Sequence, residues 1–196
     1  PPVLLCLNRR MELDERLHGI RERINDACEL AGRDPAILPE QLSEVTQRVG
    51  TLIREEQNAE FEAMTESNRV EGEAYLASNA EKDGVTTTAS GLQYEVLREG
   101  EAGDAHPPPT DQVSIHYRGT LLDGTEFDSS YSRGQPVQFG VMGVIPGFSE
   151  GLQLMTVGSH YRFVIPSDIA YGAQGTGSDI GPNATLIFEI ELIEVL

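Results

Sequence analysis

Apolar residues recur at steps of three and four positions along the first part of the chain. Over residues 13–31 they alternate with Arg and Glu, which is the pattern of an amphipathic helix. Gly32 and Pro35 follow where such a helix commonly ends. The sequence therefore predicts a first helix that stops shortly before residue 35.

A second helical pattern begins after Pro39 and continues to about Ala80. Its second half carries a looser apolar stripe, made of Phe61, Met64, Val70, Ala74 and Tyr75. A helix of about 40 residues is about 60 Å long, which exceeds the width of a small domain. The sequence favours a dimerisation or bundle helix with a partner chain, and a solvated linker helix is the alternative.

The pattern changes to strands after Gly84. Alternation of apolar and polar residues predicts half-buried antiparallel strands at residues 92–96, 113–117 and 186–192, with a turn at Asp123-Gly124. A helix of about two turns is expected over residues 148–155. We predict a helical segment of uncertain role at residues 1–38, a long helix at 39–83, and an α+β domain at 84–196, in which one short helix crosses a twisted antiparallel sheet.

Composition excludes several classes of function. The 196 residues carry 14 Lys and Arg against 32 Asp and Glu, a net charge of −18, which argues against a nucleic-acid partner. No apolar run approaches the roughly 20 residues of a membrane span. Cys6, Cys28 and the four histidines form no metal-binding pattern, and no hydrolase motif or phosphate-binding loop is present. We expect no metal and no cofactor.

The apolar residues 1–7 precede Arg9-Arg10, which reverses the order of a secretory signal. A cytoplasmic location is therefore the expectation, and a periplasmic one if a leader has been removed.

The second half of the chain carries aromatic and aliphatic residues at turns and at the ends of elements. Such residues build either core or a concave apolar pocket with a few polar groups. Asp128, Arg133 and the Tyr171 hydroxyl are candidates for those polar groups. Composition alone leaves both interpretations open.

Four segments resemble, in order and spacing, the domain of FKBP-type peptidyl-prolyl isomerases. They are VSIHYRG at 113–119, DGTEFDSS at 123–130, VIPGFSEG at 144–151 and AYGAQGTGSDIGPNATLIF at 170–188. Residues 71–100 further resemble the junction between helix and domain in the bacterial Mip-like branch, whose members dimerise through an N-terminal helical module. The resemblance covers residues 84–196 most specifically and extends to about residue 40. It implies a twisted sheet of five or six strands wrapping a short helix.

The resemblance also implies a proline pocket. Its catalytic residues would be Tyr117, Phe127, Asp128, Ile145, Phe148, Tyr171 and Phe188, and its substrate-binding residues Arg133, Phe139, Val144 and Ile180. Within this set, Ile145 would offer its backbone N–H and Tyr171 its hydroxyl to substrate carbonyls, while Ile180 would line a loop over the site.

Three positions depart from the family pattern. Phe148 replaces the commoner Trp, Val137 stands where an aromatic residue is frequent, and Gly181-Pro182 replaces a frequent Pro-Pro. These departures could reduce the isomerase activity without loss of the fold. They could also reduce the affinity for the macrolide FK506, which uses the same pocket in the family.

The expected function is cis-trans isomerisation of Xaa-Pro bonds in unfolded or partly folded polypeptides, without covalent chemistry. The alternative is a non-catalytic chaperone or binding module for Pro-containing segments. FK506-type macrolides are expected as ligands, and a second copy of the chain as a partner through residues 13–80. Residues 13–35 also resemble the opening helix of the pyridoxal-phosphate homeostasis family, but the barrel and cofactor lysine expected next are absent, so no cofactor is inferred.

Overall fold

The computed structural model describes residues 39–100, 106–177 and 179–196, with only the backbone described for residues 39–46. The predicted helix over residues 13–31 and both cysteines lie outside this range. The chain divides into two compact units, Pro1–Glu60 and Phe61–Leu196. No helix in the described part is long and apolar enough to cross a membrane.

The predicted long helix is confirmed as α1, Pro39–Ala80. Its second half belongs to the same compact unit as the sheet, but of the predicted stripe only Met64 and Tyr75 are among the less exposed positions. Phe61 and Val70 are 42% and 49% exposed. The less exposed positions of this half recur at steps of three or four residues, as helical geometry requires, and they are Met64, Thr65, Asn68, Gly72, Tyr75, Leu76 and Asn79. The packed face therefore combines apolar side chains with polar ones, and hydropathy could not reveal the polar part.

Seven antiparallel strands form one sheet within the described residues. In chain order they are β1 (Val85–Thr87), β2 (Gln93–Arg98), β3 (Gln112–Thr120), β4 (Glu126–Ser129), β5 (Val137–Gly140), β6 (His160–Ile165) and β7 (Leu186–Val195). The resemblance implies five or six strands. The difference arises because two very short strands, β1 and β5, pair with longer neighbours.

The long central strand β3 organises the part of the sheet that carries the site. One of its edges pairs with β7 over its whole length, with Gly119 opposite Phe188. Its other edge is shared, because β5 pairs with the first half of β3 and β4 with the second half. Side chains from four strands therefore meet around β3.

Apolar side chains on one face of the sheet pack against α3, Pro146–Leu154, which is the predicted short helix. The alternation predicted for the last strand is confirmed, since Leu186, Phe188, Ile190 and Leu192 are all 5% exposed or less. Gly151 of α3 lies so close to the sheet that a Cβ there would be 2.9 Å from the Phe163 ring. The remaining short elements are a helical turn α2, Ser130–Arg133, and 3-10 turns at Ser167–Ile169 and Gly172–Gln174.

The opposite face of β2 is covered by α1 and is not solvated as alternation predicts. Gln93 is 4% exposed, and its side-chain amide donates to the Leu76 carbonyl at 2.8 Å. The Asn79 amide, itself 5% exposed, donates to the Gln93 side-chain oxygen at 2.8 Å. Because each buried amide has a partner, burial of these polar groups is tolerated.

His116 and His160 occupy polar positions of the alternating strand pattern, and both are only partly exposed. The His116 ring stacks on Tyr131 with centroids 4.7 Å apart. His160 keeps its Nε2 buried without a hydrogen-bond partner among the described residues.

Candidate active site

Five aromatic rings converge at one end of the sheet. Tyr117 comes from β3, Phe127 from β4, Phe139 from β5, Phe148 from α3 and Phe188 from β7. Phe148 stands perpendicular to Phe188 with ring centroids 5.0 Å apart, and also perpendicular to Tyr117 at 6.2 Å. These edge-to-face contacts are a favoured arrangement of aromatic pairs. They make the rings one connected cluster, called the aromatic cluster below.

The outer members of the aromatic cluster complete this arrangement. Phe127 meets Phe188 edge-to-face at 5.5 Å, and Phe139 meets Tyr117 at 5.7 Å. Tyr117, Phe148 and Phe188 are each 5% exposed, whereas Phe127 and Phe139 are half-buried. The buried rings therefore form the base, and the half-buried rings present apolar surface to solvent.

Gly119 allows the close approach of two of these rings. It lies opposite Phe188 in the sheet, and a Cβ built on it would stand 2.6 Å from Cζ of Phe127 and 2.8 Å from Cε1 of Phe188. Sequence reasoning missed Gly119 as a site residue. Its signal was a glycine inside a strand pattern, which often marks close packing.

A polar triad borders the aromatic cluster. The Tyr117 hydroxyl donates a short hydrogen bond to Oδ2 of Asp128. The Arg133 guanidinium donates to Oδ1 of Asp128 at 2.6 Å and to the Tyr117 hydroxyl at 2.8 Å. Asp128 and Arg133 are about two-fifths exposed, so this is a rim in contact with water.

The triad keeps Asp128 ionised. Partial burial opposes ionisation, but hydrogen bonds from Tyr117 and Arg133 outweigh it and hold the pKa of Asp128 below its ordinary value. Burial, followed by the hydrogen bond to Asp128, raises the pKa of Tyr117 above its ordinary value. Neither group is thereby prepared to exchange a proton near neutral pH.

Ser130 fixes the backbone of Tyr117 and was also missed from the sequence. Its hydroxyl is fully buried, accepts from the Tyr117 N–H at 2.9 Å and lies 2.9 Å from Nδ1 of His116. The residue sits at the start of α2, directly after the strand that carries Asp128. No feature of the motif distinguishes Ser130 from the neighbouring Ser129.

The start of α3 places Val144 and Ile145 beside the aromatic cluster, and both are half-buried against it. Ile145 caps the helix, and its carbonyl accepts from the Ser149 N–H at 3.0 Å. No hydrogen bond within the described residues engages the Ile145 N–H. That donor is therefore available to a ligand.

Tyr171 and Ile180 belong to a folded loop between β6 and β7. Ile180 is 6% exposed and packs in the core cluster, while Tyr171 is 38% exposed. The structure thus joins Ile180 to the apolar wall and leaves the Tyr171 side chain open at the edge. No ring contact in the described residues connects Tyr171 to the aromatic cluster.

Comparison with known proteins matches both parts of the chain. The family model described as FKBP-type peptidyl-prolyl cis-trans isomerase matches residues 103–193. The model of the domain amino-terminal to this isomerase matches residues 8–96, which includes most of the segment of uncertain role at residues 1–38. An FKBP-type 22 kDa peptidyl-prolyl cis-trans isomerase from Escherichia coli is 46% identical over 88% of this chain and 80% of its own length.

The chain belongs to the FKBP-type peptidyl-prolyl cis-trans isomerase family. FkpA of Aeromonas hydrophila, another FKBP-type isomerase, is 43% identical over 96% of this chain and 69% of its own length. The Outer membrane protein MIP of Legionella longbeachae is 41% identical over 85% of this chain and 70% of its own. The expected kinship with the Mip-like branch is confirmed.

Solved structures agree with the family assignment. The crystal structure of FkpA from Escherichia coli has a TM-score of 0.79 with this chain at 34% identity, and the match covers 96% of this chain and 91% of that one. The chain is a peptidyl-prolyl cis-trans isomerase of the FKBP type. The non-catalytic alternative is set aside, because the named relatives are isomerases.

The close approach at Gly119 generates a prediction. In Gly119→Ala, the Phe127 and Phe188 rings must move, so we expect a stability loss of about 1–3 kcal/mol and a fall in kcat/KM of about tenfold. Gly140→Ala is the matched control, since a Cβ at Gly140 would meet nothing within 4 Å. Urea unfolding and an isomerisation assay measure both effects. Equal behaviour of the two variants would contradict the role of Gly119.

Proposed function

We propose that this isomerase seats the proline of its substrate against the half-buried part of the aromatic cluster. Phe127, Phe139, Val144 and Ile145 offer apolar side chains there, with the buried Tyr117, Phe148 and Phe188 beneath them. The observation that carries the proposal is this convergence of five rings from five elements beside an unengaged backbone N–H. The proline ring is apolar and matches such a surface.

Catalysis follows from what happens to the amide as it rotates. Planarity allows resonance, which charges the oxygen and nitrogen, and gives a barrier of about 18–20 kcal/mol. The twisted amide has lost that charge separation. A site that excludes water therefore favours the twisted state over the planar one, which is differential binding of the transition state.

Two donors orient the substrate. In this proposal the Ile145 N–H and the Tyr171 hydroxyl donate to substrate carbonyls on either side of the rotating bond. Asp128 stays ionised and held by Arg133 and Tyr117, so its role is to fix the Tyr117 ring and the rim. No step of this mechanism transfers a proton or forms a covalent bond.

Lowering the barrier to rotation about the Xaa-Pro bond makes isomerisation fast enough to matter in folding. Lowering the barrier by about 7 kcal/mol accelerates the reaction roughly 10⁵-fold. An uncatalysed isomerisation takes tens of seconds and can limit folding. Pro-containing unfolded or partly folded polypeptides are accordingly the substrates, and FK506-type macrolides are the competing ligands.

Tyr171→Phe tests the role of the hydroxyl. We expect kcat/KM on an Ala-Leu-Pro-Phe peptide, measured by NMR exchange, to fall by about three- to tenfold, as loss of one hydrogen bond predicts. Tyr131→Phe is the matched control, because Tyr131 is exposed and its hydroxyl lies 3.4 Å from Glu191, outside the pocket. FK506 should block the wild-type acceleration. A folded wild type that does not accelerate exchange would refute the mechanism.

We propose, further, that the chain forms a homodimer through residues 13–80. The support is the presence of large apolar side chains on the outside of α1, where Leu52 is 62% and Phe61 42% exposed. Apolar surface of this kind gains stability when a partner covers it.

Light scattering on the full chain tests the dimer. We expect twice the chain mass of 21.4 kDa for the wild type and a shift toward a single chain mass in Leu52→Glu. Gln57→Glu adds the same charge at another exposed position of α1 and should leave the mass unchanged. A wild type with the mass of one chain throughout the micromolar range would exclude the dimer.

A further inference from the structure

We propose that the second half of α1 is a positioning element for the active site, and that Asn68 is its principal positioning residue. The proposal rests on the assignment of Tyr171 and Ile180 to the proline pocket. What α1 holds is the loop between β6 and β7, described over residues 171–177 and 179–185 and called the pocket loop below.

Asn68 is the first point of attachment. Its side-chain amide donates to the carbonyl of Pro182 at 2.7 Å, joining residues that are 114 positions apart in the chain. Pro182 is buried and Asn68 half-buried. This hydrogen bond stabilises the attachment. If it breaks, the Pro182 carbonyl is left without a hydrogen-bond partner in a place where water cannot easily replace the Asn68 amide.

Gly181 brings the backbone of the pocket loop against α1. A Cβ at Gly181 would stand 3.0 Å from Sδ of Met64 and 3.1 Å from Nδ2 of Asn68. This contact gives a physical reason for the glycine at a position where the family resemblance leads one to expect proline. A larger residue would force the Met64 and Asn68 side chains to move, and the Asn68 amide would then leave its position against the Pro182 carbonyl.

Two further contacts extend the attachment on either side. Asn183 reaches the Thr65 carbonyl through its side-chain amide at 3.4 Å. Gly72 faces Thr185, where a Cβ would stand 2.4 Å from Oγ1 of Thr185. Loop residues 181–185 therefore lie along three successive turns of one helix face, at Met64, Asn68 and Gly72.

The attached segment is linked directly to the pocket. Ile180 immediately precedes Gly181, and its backbone exchanges two hydrogen bonds with Thr176, at 2.9 and 3.3 Å. The Asn183 N–H donates to the Gly172 carbonyl at 2.9 Å, which fixes the turn that follows Tyr171. Asn183 adopts a left-handed conformation, φ 53°, to make this connection. Helix contacts at residues 64–72 thus fix both pocket residues that the loop supplies.

Asn68 touches no substrate in this arrangement, so its effect must pass through the loop. If the attachment is weakened, the pocket loop opens more often while the strands of the sheet remain folded. The substrate then meets a pocket in which Ile180 and Tyr171 are placed correctly for a smaller fraction of the time. Apparent kcat/KM falls in proportion to that fraction.

Asn68→Asp is the most direct test. It keeps the shape of the side chain but replaces the amide nitrogen that donates to the Pro182 carbonyl with an oxygen that cannot donate. We expect amide hydrogen exchange at Thr176 and Ile180 to accelerate by about three- to tenfold, and kcat/KM to fall by a smaller factor that equals the loss of the closed fraction. Exchange at the amides of β3 and β7 should be unchanged. Asn58→Asp makes the same chemical change at an exposed position of α1 and should alter neither quantity.

Gly181→Ala provides a second approach from the loop side. We expect it to reproduce the faster exchange in the wild-type background and to cost less when combined with Met64→Ala, which makes room for the added methyl group. Such coupling is the signature of two residues in contact.

The inference would be overturned by a folded Asn68→Asp variant with wild-type exchange at Thr176 and Ile180, or by strictly additive effects of Gly181→Ala and Met64→Ala. A different result is expected if Tyr171 and Ile180 do not belong to the proline pocket. In that case Asn68→Asp would accelerate loop exchange without any change in kcat/KM.

Discussion

The perpendicular contact between Phe148 and Phe188 joins the short helix to the sheet at the point where the core becomes the pocket. With ring centroids 5.0 Å apart, it sets the distance between α3 and β7, and Tyr117 and Phe127 pack around the same Phe188 ring. Burial of each such ring contributes about 1.5–3 kcal/mol. The same interaction therefore stabilises the fold and shapes the surface that we propose receives proline, so the base of the site cannot relax without loss of core packing.

In the proposed mechanism, the charged groups at the rim fix the geometry of the site and take no part in the chemistry. Arg133 and Tyr117 together hold Asp128 ionised, and the guanidinium carbon of Arg133 also lies 5.6 Å from the centre of the Tyr117 ring. These contacts fix the ring that forms one side of the pocket. A network that is fully hydrogen-bonded at the water boundary avoids the cost of an isolated buried charge. The arrangement suits a reaction whose transition state is less polar than its ground state.

Much of the sheet could be predicted because its physical cause is visible in hydropathy. Alternation identified the strand that carries Phe188, and the run after Pro146-Gly147 identified α3, since in both cases apolar side chains face one core. The polar part of the face by which α1 packs could not be found in this way. It uses Asn68, Gly72 and Asn79, whose packing depends on hydrogen bonds and on the lack of a side chain, and neither leaves an apolar periodicity.

The residues of the candidate site likewise fall into those assigned from the sequence and those found only in the structure. The aromatic residues, Asp128 and Arg133 were assigned through resemblance to the family, and the structure brings them together. Gly119 and Ser130 support that geometry by close approach and by a buried hydroxyl, and both depend on residues distant in the sequence. Contacts of this kind follow from the register of β3 with its neighbours, which the residues of one strand alone do not determine.

The dependence of kcat/KM on pH tests the central claim most directly, because that claim excludes proton transfer. Asp128 has a folded-state pKa below its ordinary value of about 3.9, so its ionised form and the stability it adds are present above that value. They are lost only as the pH falls through the lower folded-state pKa. We predict a constant kcat/KM from roughly pH 5 to 8, after the uncatalysed rate is subtracted. A bell-shaped profile, or a step with an apparent pKa inside that range, would show that an acid or base acts in the reaction and would contradict the account.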